Sequence, residues 1–132
     1  MFVLSTVLSS ESFFMLSVLF LLFFKHWYID FVRQTDEQVK YKGVYGHPIG
    51  LGHSAEHGLA TALVFCIFIP FGWAIFLGLV DFVLHYHIDY AKMRYGNRDI
   101  KTKQFWAQLG LDQFAHQITY LILTAFAVAI GT

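Results

Sequence analysis

The stretch Leu19-Phe20-Leu21-Leu22-Phe23-Phe24-Lys25-His26-Trp27-Tyr28-Ile29-Asp30 decides how this chain is read. Its first half is uniformly apolar, and its second half sets His26 and Asp30 four residues apart. Extended back to Ser12 and on to Val32, the run reaches the roughly 20 residues that cross a bilayer as a helix. Three more runs follow, from about His53 to Ile69, Gly72 to Tyr90 and Phe105 to Ile130. Pro70 and Gly72 mark a tight turn between the second and the third. The expectation is an all-α protein, an integral membrane four-helix up-down bundle formed by a single transmembrane domain over residues 1–132. No basic segment precedes the first run, which is longer than a signal-peptide core, so it is expected to remain as a first helix.

Composition points the same way. Charged residues make up 14% of the 132-residue chain, against about a quarter in soluble domains, so the surface lacks the groups that hold a protein in water. Nine Lys and Arg balance nine Asp and Glu, which leaves no basic surplus for nucleic acid. One cysteine, Cys66, excludes a disulfide framework and a thiolate zinc cluster. Arg33, Lys40 and Lys42 follow the first run, and Lys92, Arg94, Arg98, Lys101 and Lys103 follow the third. Both loops fall on one side of the membrane, and Lys25 lies near that end of the first helix. The positive-inside rule then places this side in the cytoplasm and both termini outside. Trp27, Tyr28, Tyr86, Tyr90 and Trp106 gather near the same boundary, as an interfacial belt.

Each run carries ionisable residues four apart: His26 and Asp30, His53 and His57, His85 and Asp89, Asp112 and His116. Residues four apart on a helix differ by only about 40° around its axis, so each pair points one way. The pairs end the first and third helices and begin the second and fourth. In an up-down bundle all four therefore lie in one layer near the cytoplasmic boundary. A charged group at mid-bilayer costs roughly 2.5–3.5 kcal/mol, so such residues should face the interior and find partners.

Imidazole and carboxylate together suit a transition metal, with Zn or Fe favoured and Mn acceptable. Eight candidate ligands exceed the needs of one ion, so either two metals or one metal with supporting carboxylates fits. Glu56, three residues after His53, and Asp81, one turn deeper than His85, are the candidate catalytic acid or base. His87 points away from His85 and Asp89, and His47 belongs to a loop. Gln34 and Gln113 adjoin the pairs as hydrogen-bonding partners. The function expected is a metal enzyme acting on a lipid or another membrane-soluble substrate, with hydrolysis slightly favoured over oxygenase chemistry. Permeation of a metal ion or proton is an alternative, although a continuous path would need an oligomer. A haem protein is disfavoured by the carboxylates beside the histidines. The remaining alternative is a non-catalytic subunit of a larger membrane complex.

The motifs His26-x-x-x-Asp30-Phe31 with Gln34, His53 with His57, His85-x-x-x-Asp89 with Lys92, and Asp112-Gln113-x-x-His116 occur in this order. Together they resemble a family of small bacterial and phage membrane proteins with a domain-of-unknown-function label, over about residues 20–120. The resemblance implies a helical membrane protein and no particular activity. The Tyr41–Gly52 stretch reads as an insertion relative to that pattern.

Overall fold

A computed structural model describes residues 9–131, which are all-helical in their regular structure. The extreme ends of the chain, expected opposite the basic loops, lie outside the described residues. Helix α1, Ser10–Trp27, starts where the Ser9 side chain accepts a hydrogen bond from the Ser12 amide. It continues as a π-helical segment, Tyr28–Arg33, which carries Asp30. A short helix α2, Asp36–Tyr41, is held by a reciprocal capping box between Thr35 and Gln38. Helix α3, Pro48–Cys66, opens with proline at its first position and the His47 ring accepting from the Ile49 amide. Helix α4, Phe71–Tyr95, follows Pro70 and stops at Gly96, and helix α5 spans Lys103–Gly131.

Three helical stretches are long and apolar enough to cross a membrane: Ser10–Arg33, Phe71–Tyr95 and Lys103–Gly131. The expected second span, 53–69, differs from this. Helix α3 begins earlier, at Pro48, and closes at Cys66. Its N-terminal half holds His53, Ser54, Glu56 and His57 among glycines, which dilutes its apolarity below that of the other three. Neighbours cover that polar half. Helix α3 packs on both α1 and α4, while α5 also packs on both α1 and α4.

The α3–α4 contact is the closest. A Cβ built on Gly58 would lie 2.7 Å from the Gly78 carbonyl oxygen, and one on Gly78 would lie 2.6 Å from the Gly58 carbonyl oxygen. Any side chain at either position would push the backbones apart. This approach brings the rings of His57 and His85 into a stack with centroids 3.6 Å apart.

The interior divides into two layers. One is apolar, built from Val18, Leu22, Phe65, Leu77, Tyr120 and Leu123 with their neighbours. The other contains the buried His26, Asp30, His53, His57, His85, Asp89, Asp112 and His116. Outward positions are apolar instead: Phe20, Ile67 and Phe71 are each about seven-tenths exposed (69%, 69% and 71%). Such large apolar groups on the outside match a hydrocarbon environment better than water.

A candidate metal centre

Asp30 is the hub of the polar layer. Its Oδ1 lies 3.0 Å from Nε2 of both His53 and His57, while its Oδ2 lies 3.2 Å from His26 Nε2. The carboxylate thus joins α1 to α3 and also closes the four-residue pair on α1. The widened π-helical turn that carries it has no signal in the local sequence.

Asp89 plays the corresponding part on α4. Its Oδ2 is 3.2 Å from His85 Nε2 and 3.6 Å from His53 Nε2, and its Oδ1 is 3.4 Å from His116 Nε2. The α5 pair also meets, with His116 Nε2 3.6 Å from Asp112 Oδ1. All eight residues expected as ligands are buried and belong to one connected cluster.

Within the cluster, three sets of side chains bring one ligand atom each within 4.8 Å of one another. They are Asp30–His53–His57–His85, His26–His85–His116 and Asp30–His85–Asp89–His116. His85 belongs to all three. Its ring is fully buried, and neither nitrogen has an aligned hydrogen bond among the described residues. The 3.2 Å approach to Asp89 is close but out of line. A buried imidazole left this way costs about 1–3 kcal/mol unless something else satisfies it.

His116 Nε2 and His53 Nδ1 likewise lack an aligned hydrogen bond among the described residues, whereas His26 is committed at both nitrogens. His26 donates from Nε2 to Gln113 Oε1 at 3.0 Å, so its Nδ1 accepts from the Tyr120 hydroxyl at 2.9 Å. Asp112 is not in any of the three sets. It accepts from Lys92 Nζ and from the Gln113 amide, both at 3.0 Å.

Two lysines complete the layer, and sequence reasoning assigned neither to it. Lys25 was expected only as a charge near the membrane edge. It is buried, with Nζ 2.9 Å from Asp81 Oδ2, 3.2 Å from the His57 carbonyl oxygen and 3.3 Å from His57 Nδ1. Lys42 was expected in a loop. The loop returns it to the interior, 2.8 Å from Asp89 Oδ2 and 3.7 Å from Asp30 Oδ1. The available signal was charge balance, because several buried carboxylates in one layer require buried cations.

The two expected catalytic residues stand apart from the three sets. Asp81 is taken up by Lys25 and by the Thr61 hydroxyl, which donates to the same oxygen at 2.5 Å. Glu56 sits on the flank of α3, one-third exposed (33%), and faces Arg33 at 3.4 Å. Three residues along a helix leave Glu56 about 60° around the axis from His53, enough with the tilt of α3 for its carboxylate to reach out to Arg33 instead of into the cluster. Outside the cluster, His47 stacks on Tyr41 with centroids 3.9 Å apart, and His87 contacts the Val83 carbonyl and the Tyr45 hydroxyl.

The chain belongs to the family described as protein of unknown function (DUF3307), whose model matches residues 18–132. No curated protein and no solved structure matches it.

Proposed function

We propose that this DUF3307 chain is a membrane-embedded metal enzyme: a four-helix up-down bundle, one transmembrane domain, with its polar layer toward the cytoplasm and both termini outside. The observation that carries the reading is His85, an orphaned buried imidazole common to every ligand set. Asp30, His53 and His85 would hold one Zn or Fe ion. Tetrahedral ligands at Zn–N and Zn–O lengths sit about 3.3 Å apart. Asp30 Oδ1 lies 3.0 Å from His53 Nε2 and 4.0 Å from His85 Nε2, so small adjustments complete the set.

Charge favours a single ion. Asp30, Asp81, Asp89 and Asp112 contribute four negative charges, and Lys25, Lys42 and Lys92 contribute three positive ones. With neutral histidines the layer is formally −1. One divalent ion takes it to +1 and two take it to +3, an excess that burial strongly disfavours.

His57 has a different part. The Lys25 ammonium has three protons and three acceptors, one of them His57 Nδ1. His57 therefore carries its proton on Nε2, beside Asp30, where it is a hydrogen donor rather than a ligand. The ion would supply Lewis acidity and an activated water. In hydrolysis of a lipid ester, that water would bond to the acyl carbon as the carbon–alkoxide bond breaks. His57 would pass its Nε2 proton to the departing alkoxide while taking one at Nδ1 from the Lys25 ammonium, and the proton released by the water would restore the charge on Lys25.

Elemental analysis of detergent-purified variants tests this assignment. About one equivalent of Zn or Fe is expected in wild type, lost in His53→Ala and retained in His57→Ala and His116→Ala. Metal lost only from His116→Ala would transfer the site to one of the other two sets. Metal absent from wild type after reconstitution would overturn the reading.

A further inference from the structure

Three hollows meet at Lys92. The first, about 140 Å³, is walled by Asp30, Gln34, Lys42, Asp89 and Gln113, and so opens onto the polar layer. The second, about 520 Å³, shares Val39, Lys92, Met93 and Leu109 with the first. Its charged walls are Lys40, Lys92 and Arg98 against the single acid Asp36. The third, about 370 Å³, is an apolar groove between α4 and α5 past Ile88, Ala91, Leu111 and Ala115, and it shares Lys92 and Gln108 with the second.

Lys92 is paired with Asp112, but the other two cations of the middle hollow are available. Arg98 reaches only the Met93 carbonyl oxygen, at 3.1 Å, and Lys40 lies over the Tyr41 ring at 5.0 Å. Among the described residues neither has a carboxylate partner. Both are exposed, at the level where Tyr95 (76%) and Trp106 (60%) present aromatic surface outward. Aromatic residues of this kind mark the headgroup zone of a bilayer.

We propose that the middle hollow binds the phosphate headgroup of an anionic lipid, with one acyl chain in the α4–α5 groove. The cations recognise phosphate by charge, and the anionic cytoplasmic leaflet presents such lipids on this side. The groove selects a lipid over a free phosphate, because an apolar channel starts at the lysine that borders the headgroup space. From Gln108 to Ala115 the groove runs about 10 Å along α5, enough for part of a chain. The first hollow then lies beside the ester linkage, near Asp30. As a substrate site this rests on the metal-enzyme reading. As a binding site it needs only the proposed cytoplasmic orientation of this face and not the metal.

Native mass spectrometry of detergent-purified protein tests it, with metal counted in the same samples. Titrations use phosphatidylglycerol, phosphatidylcholine and glycerol 3-phosphate separately. Phosphatidylglycerol is expected to bind at about tenfold lower concentration than phosphatidylcholine, and glycerol 3-phosphate not to bind in that range. The Lys40→Glu/Arg98→Glu variant is expected to abolish the difference and keep its metal. Equal binding of the two lipids in wild type overturns the proposal, as does a preference that survives in the variant. Glycerol 3-phosphate binding as tightly as phosphatidylglycerol overturns it in favour of a small-anion site. Metal-free protein that still prefers phosphatidylglycerol refutes the metal reading and supports the headgroup site. Metal-loaded protein without the preference does the reverse.

Discussion

Replacing His85 by alanine is expected to reduce bound metal from about one equivalent per chain to a trace, with affinity lowered about a hundredfold or more. This substitution tests all the arrangements at once, because His85 alone belongs to every candidate ligand set. The ring also stacks on His57 and packs on His116 at centroid distances of 3.6 and 4.1 Å, so alanine leaves a hole. His85→Gln, which fills more of that space and has no imidazole nitrogen, separates the two effects. Both variants should lose the ion, and His85→Gln should keep more of the thermal stability in detergent. Retention of a full equivalent of metal by folded His85→Gln would remove His85 from the site.

Asp81→Ala is expected to destabilise the protein by about 3–5 kcal/mol, since it leaves the Lys25 ammonium buried without its carboxylate. The pair lies beneath the candidate ion site, with side chains 9% and 0% exposed. Lys25→Met/Asp81→Leu should recover most of that loss, because a matched apolar pair removes both charges together. Denaturant unfolding in detergent, followed by circular dichroism, measures both effects. The same variants separate a structural Asp81 from the proton carrier expected from its depth in the sequence. A double variant that regains stability and keeps its metal assigns the aspartate to charge balance. A single variant as stable as wild type would show that the Lys25–Asp81 contact contributes nothing.

Much of the layer was legible in the sequence, for a definite physical reason. Helical periodicity fixes which residues share a direction, and alternating chain direction fixes which ends share a depth. His26 and Asp30, and His85 and Asp89, accordingly meet at 3.2 Å each, and Asp112 and His116 at 3.6 Å. What periodicity leaves open is how each helix rotates against its neighbours. That rotation sends Glu56 outward to Arg33 and turns Asp112 toward Lys92. Lysine misleads for another reason. Its long stem lets it reach either outward to the headgroups or inward to a carboxylate, and Lys25 and Lys42 take the second course. Residues 53–69 were read as the second apolar run, whereas α3 starts at Pro48 and ends at Cys66, with its buried polar residues covered by the helices packed on it.

X-ray absorption at the metal edge of the detergent-purified wild-type protein tests the metal centre most directly. The spectrum expected has a shell of nitrogen and oxygen neighbours near 2.0–2.1 Å, with outer-shell scattering from about two imidazoles and no sulfur. A shell of oxygen alone, without imidazole scattering, would contradict the assignment of His53 and His85 as ligands. It would leave the polar layer as a hydrogen-bonded network joining the helices.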